Sequence, residues 1–183
     1  MEPFEIRVNE DIVLRLHQEK IAPTLFSLVE ENRAYLREWL PWLDFNTKIE
    51  DTHKFISECE SNYKKGFSLN LGIFFNGKLV GSVGFNTISS INKSAEIGYM
   101  LGANYNGLGI MTKSCKALID YGFNQLKLNR IAIKVGEQNY KSRAIAERLN
   151  FNQEGILQQA EYLYDHYVNL VVYAMLRENW EKK

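Results

Sequence analysis

Residues 105–112 read YNGLGIMT, that is Tyr105, Asn106, Gly107, Leu108, Gly109, Ile110, Met111 and Thr112. An apolar-periodic segment follows. Met111, Cys115, Leu118, Ile119 and Phe123 share one face of a helix predicted from about Gly109 to Leu126. Upstream, Ala95–Gly102 reads as a strand; downstream, Ile131, Ile133 and Val135 alternate as another. A strand, a glycine loop, a helix and a second strand make a crossover between parallel strands. The loop then lies at the carboxyl end of the first strand, where such sheets bind ligands.

Three kinds of loop answer to this pattern. A P-loop has Lys and a hydroxyl residue after its last glycine, but Leu108 and Gly109 follow Gly107. A dinucleotide fingerprint has a third glycine where Thr112 stands, and an acidic residue on the next strand, which Ile131–Val135 lacks. The third kind asks for less. Backbone N–H groups of Asn106, Gly107, Leu108, Gly109 and Ile110 converge, and the first helical turn through Met111 and Thr112 adds unpaired donors and a positive dipole end. Glycine at 107 and 109 permits close approach and positive φ. Such a mouth holds a pyrophosphate without metal or lysine, and the side chain of Leu108 is immaterial to it. A plain tight turn between strand and helix remains the alternative on the loop alone.

The rest of the chain surrounds this unit. Two short alternating segments within residues 4–17 flank Asn9-Glu10-Asp11 and read as a hairpin-like strand pair. Pro23 suits a first helical turn, and the helix is predicted to run to Leu40, where Pro41 stops it. Asp51 is read as the cap of a second helix carrying Phe55, Ile56 and Tyr63. Asn76-Gly77 between apolar alternations predicts a hairpin of Ser68–Phe75 with Lys78–Ile88. A helix over Tyr140–Leu149 ends at Asn150, suited to a left-handed C-cap, and strands over Phe151–Ala160 and Val168–Leu176 finish the order ββ-αα-βββ-α-β-α-ββ. The fold class is α+β, with a mixed and mostly antiparallel sheet.

Composition narrows function. The 183 residues suit a single domain over 1–183 and are 45% hydrophobic and 24% charged, which is globular. Net charge is zero, so no overall basic field draws nucleic acid or an acidic membrane. Cys59, Cys115, His17, His53 and His166 are scattered and make no metal-ligand pattern, and unpaired cysteines fit a reducing cytoplasm. The start, MEPFEIRV, is acidic and lacks the apolar core of a signal peptide. The longest apolar run, LVVYAML from Leu170, is far short of the ~20 residues that span a bilayer.

A second segment pairs with the first: Asn139 at a polar strand exit, Ser142 in the next helical turn, then Leu149 and Phe151. AEIGYMLGANYNGLGIMT followed by LNRIAIKVGEQNYKSRAIAERLNF resembles the GNAT superfamily of acetyl-CoA-dependent N-acetyltransferases, whose pattern is strand, [Q/R]xxGxG/A, helix, strand, Asn, helix. AEIGY, GxGIMT, LNRI, NxxS, QAEYL and REWLPWL are similar to the branch that acetylates the N-terminal amines of ribosomal proteins. The resemblance runs from about Ile12 to Leu176. Two positions depart from the pattern. Asn104 replaces Gln or Arg and still offers an amide to phosphate; Asn150 replaces Gly.

The resemblance implies a GNAT fold whose sheet splays at the cofactor site, and direct attack of an amine on the thioester of acetyl-CoA. Backbone groups of Tyr99, Met100 and Leu101 would pair with pantetheine as an extra strand, with Asn139 on the other side. Ser142 would meet the departing thiolate. Glu161 would be the base, with Glu96 as its rival, since a buried mid-strand Glu needs a partner or water. Trp39 and Trp42 would border the acceptor groove, unless they are simply helix-end core aromatics. Lys113, Lys116, Lys141 and Arg143 would reach the ribose 3′-phosphate, or form a solvated face. The implied acceptor is a protein N-terminus. A small amine such as an antibiotic or polyamine, and a non-catalytic CoA-binding module, are the alternatives. The family also implies a homodimer through the last strands.

Overall fold

The computed structural model describes residues 4–182; the first three residues of the acidic MEPFEIRV stretch lie outside them. Eight strands form one sheet: β1 (Glu5–Arg7), β2 (Ile12–Leu16), β3 (Leu69–Phe75), β4 (Lys78–Ser89), β5 (Ser94–Leu101), β6 (Arg130–Gly136), β7 (Asn152–Leu163) and β8 (His166–Leu176). Their spatial order is β1-β2-β3-β4-β5-β6-β8-β7. All neighbours are antiparallel except β5 and β6, joined through the glycine loop and helix α4 (Ile110–Asn124). The β3–β4 hairpin turns at Asn76 and Gly77, both at positive φ, as Asn-Gly requires.

Helices α1 (Ala22–Glu31), α2 (Arg33–Arg37) and α3 (Ile49–Lys64) lie on one face of the sheet, where Leu25, Leu28, Ile56 and Leu79 pack. α4 and α5 (Tyr140–Arg148) cover the other, where Cys115, Leu118, Ile119, Phe123 and Ile145 meet Ile97, Ile131 and Ile133. Each large apolar side chain buried this way contributes roughly 1.5–3 kcal/mol. A short helix α6 (Arg177–Trp180) ends the described chain.

Three expectations change. The helix predicted from Pro23 to Leu40 breaks at Asn32. The Asn32 amide donates to the Leu28 carbonyl at 2.8 Å, and its oxygen accepts the Ala103 N–H at 2.8 Å, which ties the break to the glycine loop. An amide side chain that competes for backbone partners ends helices in this way. Asp51 is not the N-cap of α3. It sits in the first turn and its carboxylate accepts the N–H groups of Thr47 and Lys48, four and three residues back. β7 runs past Ala160 to Leu163, because an irregularity between Leu157 and Glu161 resets its register with β8. Asn150 holds φ +56°, as a left-handed cap demands. No helix among the described residues is long and apolar enough to cross a membrane.

Candidate active site

The parallel ladder is short. Ser94–Ile97 pair with Arg130–Ile133, and pairing stops there. β5 runs on to Leu101 bonded only to β4, and β6 to Gly136 bonded only to β8. The facing edges of Gly98–Leu101 and Lys134–Gly136 therefore diverge and leave backbone donors and acceptors for a third chain. Gly136 is the floor for Trp39, whose ring atoms lie 3.2 Å from where a Cβ would be. A cavity of about 350 Å³ opens at this notch, lined among others by Trp39, Tyr99, Met111, Asn139, Ser142 and Ile145.

At the end of β5 the chain makes a 3₁₀ turn over Ala103–Tyr105 and enters the loop. Gly107 and Gly109 have φ of +79° and +72°. Gly109 is the N-cap of α4 and no side chain caps that end. A Cβ at Gly107 would touch nothing, so the glycine there serves backbone shape and an open approach. Asn104, Asn106 and Leu108 are exposed, whereas Ile110 and Met111 turn their side chains into the core. The Asn106 amide donates to Tyr35 Oη at 3.1 Å and to the Ala103 carbonyl at 2.9 Å, which fixes the loop to α2.

Asn139 caps α5, its Oδ1 accepting the Ser142 N–H at 3.1 Å. That cap sets Ser142 in the first turn, beside the notch. Its Oγ donates to Tyr99 Oη at 2.9 Å, and Tyr99 Oη donates to the Ser142 carbonyl at 3.1 Å. Burial pushes the Tyr99 phenol well above the usual tyrosine range.

The carboxylates occupy the opposite face. Glu96 pairs with Ala132 in register, Ala132 with Ala174, and Val168 with Glu161. Paired residues share a face, and Val168 and Ala174 lie an even number of residues apart, so Glu96 and Glu161 project from one side. Tyr99 has the other parity and packs with the α4–α5 core, whereas Met100 packs with α1 and α2. Glu96 is ion-paired with Lys134 at 2.6 Å. Glu161 is half-buried, and both burial and the charge of Glu96 raise its pKa above the ordinary carboxylate value. A carboxylate of raised pKa and a hydroxyl pair thus lie on opposite faces of the sheet.

Of the residues picked from the sequence, the cavity gathers Trp39, Tyr99, Met100, Leu101, Asn106, Met111, Asn139 and Ser142. Asn104, Gly107, Leu108, Gly109, Ile110 and Thr112 belong to the neighbouring loop and helix mouth rather than to its lining. Glu96, Glu161 and Trp42 do not line it either; Trp42 is 36% exposed. Two of the four cations are committed elsewhere. Lys116 binds Asp120 at 2.8 Å, and Arg143 donates to Tyr173 Oη and the Glu137 carbonyl, both at 3.0 Å. Lys141 lines the cavity, its ammonium 5.6 Å from the Tyr35 ring centre. Sequence reading missed Tyr35, Lys134 and the Tyr99 side chain. Strand alternation signals the faces of Tyr99 and Lys134, but only the assembled sheet shows what each one meets.

Known proteins are similar to this chain in sequence and fold. The chain is 34% identical over 171 residues to the ribosomal-protein-serine acetyltransferase of Escherichia coli strain K12, covering 93% of this chain and 96% of that one. It superposes with a TM-score of 0.93 and 34% identity on RimL, the ribosomal L7/L12 alpha-N-protein acetyltransferase, solved in complex with coenzyme A; the match covers 96% of this chain and 99% of that one. The microcin C7 self-immunity acetyltransferase MccE, solved in complex with acetyl-CoA and AMP, gives a TM-score of 0.88 at 33% identity, covering 92% of this chain and 94% of that one. The acetyltransferase (GNAT) domain profile matches residues 11–152. With a splayed parallel pair, a glycine-lined helix mouth and these relatives, the chain belongs to the GNAT acetyltransferase family.

Proposed function

We propose that this protein, a single domain over 1–183, transfers the acetyl group of acetyl-CoA directly to the α-amine at the N-terminus of a ribosomal or other protein. The observation that carries the reading is the notch between β5 and β6, with Glu161 on one face and Ser142 on the other. Pantetheine lies in the notch, its amides bonded to backbone groups of Tyr99, Met100 and Leu101, with Asn139 opposite. Its diphosphate rests on the N–H groups from Asn106 through Thr112, with the Asn104 amide beside them. Trp39 and Trp42 border the acceptor groove.

An α-amine titrates near ~8 and a lysine near ~10.4, so a carboxylate base acting through water frees the first more readily. Glu161 takes this proton. Glu96, held by Lys134, tunes it. The amine adds to the thioester carbonyl, whose oxygen is met by the N–H near Met100 or Leu101. The C–S bond breaks with its electron pair on sulfur, and Ser142 meets the thiolate. The setting is the cytoplasm, and the active form is a homodimer joined through its last strands.

The test is mass spectrometry of acetyl transfer, with acetyl-CoA, to peptides of varied first residue and to a panel of small amines. Acetylated peptide N-termini are expected. Transfer to one small amine and to no peptide would overturn the acceptor assignment; no transfer with retained binding would leave a CoA-binding module.

A further inference from the structure

The side chain of Tyr99 has no part in the reaction derived so far, yet it lies in the cavity and contacts Ser142 twice. A serine in a helix can turn its hydroxyl to solvent or back to a carbonyl three or four residues earlier. Ser142 does neither: its Oγ–H points across to β5, onto the Tyr99 oxygen at 2.9 Å. The phenol O–H in turn donates to the Ser142 carbonyl at 3.1 Å. Two hydroxyls and one carbonyl thus form a closed chain between the strand beside the notch and the first turn of α5.

We infer that Tyr99 is a positioning residue that holds the Ser142 hydroxyl toward the notch and reinforces it as the thiolate departs. This rests on the reading of Ser142 as the group that meets that thiolate. As the C–S bond breaks and its electron pair passes to sulfur, the Ser142 O–H turns from Tyr99 to the sulfur. Its Oγ then has a free lone pair, and the phenol O–H swings from the Ser142 carbonyl to fill it. The second hydrogen bond polarises the first. No proton leaves Tyr99. A thiol titrates near ~8.5 and a phenol near ~10 in water, and burial raises the phenol further. The thiolate takes its proton from solvent, Glu161 returns to solvent the proton removed from the amine, and amine plus thioester yield amide plus thiol.

A double-mutant cycle tests this, with kcat for peptide acetylation and calorimetric Kd for acetyl-CoA measured on Tyr99→Phe, Ser142→Ala and the double variant. Tyr99→Phe is expected to lower kcat about 10-fold, the upper end for loss of one hydrogen bond to a neutral hydroxyl, with Kd within about 2-fold of wild type. In the Ser142→Ala background it should change kcat no further. An equal loss in both backgrounds, or a loss confined to Kd, overturns the inference. Wild-type kcat in Ser142→Ala overturns the Ser142 assignment and the inference together, whereas loss in Ser142→Ala with none in Tyr99→Phe overturns the inference alone. Should Tyr99→Phe not fold, 3-fluorotyrosine at 99 keeps the shape and strengthens the donor. It is expected to change kcat about 2-fold or more, and unchanged kcat overturns the coupling.

Discussion

Lys134 Nζ stands 2.6 Å from Glu96 Oε2, across strands β5 and β6 just where their pairing ends. Burial raises the pKa of Glu161, and like-charge repulsion from Glu96 raises it further. The lysine therefore offsets a charge that acts on the proposed base. Glu161 works only when deprotonated, so its pKa sets the acid limb of the pH–rate profile. Lys134→Met leaves Glu96 uncompensated and should move that limb to higher pH; Glu96→Gln removes the repulsion and should move it lower. Profiles of kcat/KM against pH that coincide for both variants would dismiss Glu161 as the group seen.

Glu161→Gln should slow turnover by about 10²-fold, as a lost acid–base group does, and Ser142→Ala by about 10- to 10²-fold, as loss of a hydrogen bond to a charged group does, while acetyl-CoA affinity stays within a few-fold. Single-turnover rates and calorimetry separate the two effects. Full activity in both variants would shift the assignment to Glu96 and ordered water.

Gly109 holds φ +72° at the mouth of α4, and a Cβ there would find only the Lys113 side chain, at 3.9 Å. The cost of Gly109→Val is thus backbone strain, roughly 1–2 kcal/mol, and not a clash. The loop should relax away from this conformation and abolish acetyl-CoA binding, with the rest of the fold retained by circular dichroism. Unchanged affinity by calorimetry would rule out the helix mouth as the diphosphate seat.

His17 is fully buried; its Nε2 meets Ser82 Oγ at 3.1 Å and its Nδ1 has no partner. Ser82 Oγ donates to the Leu71 carbonyl, so the ring is the Nε2–H tautomer. Burial lowers its pKa from 6.5 to about 4. Below pH 6.5 the unfolded chain takes up a proton here and the folded chain does not until about pH 4. Stability should fall as pH drops through that window, by up to roughly 3 kcal/mol, and then level off. Denaturant titrations of His17→Leu should show a flatter profile over the same window. Equal slopes for the two proteins would remove His17 as the cause.

The legible parts were those with local causes. Asn76-Gly77 forces its turn, Gly107 and Gly109 take the positive φ that other residues resist, and Asn139 caps α5 through its own next turn. The break at Asn32 was hidden because its amide oxygen is held by the Ala103 N–H, 71 residues away. Asp51 was misplaced by three positions, since the cap is Lys48, because an acidic residue suits both the cap and the third position of the first turn, from which its carboxylate reaches back to the N–H groups of Thr47 and Lys48. The commitments of Lys116 and Arg143 to Asp120 and Tyr173 were equally invisible, since a charged residue's partner depends on what folds beside it.

By itself the chain of residues determined the order of strands and helices, the crossover at 95–136 and the loop that can cradle a phosphate, because periodicity and glycine torsions act over a few residues. Only the assembled sheet decided where the parallel ladder stops, that Glu96 and Glu161 share one face while Ser142 and Tyr99 take the other, and which lysine answers Glu96. Register and like-charge repulsion are properties of chains brought side by side, and no single stretch of sequence carries them.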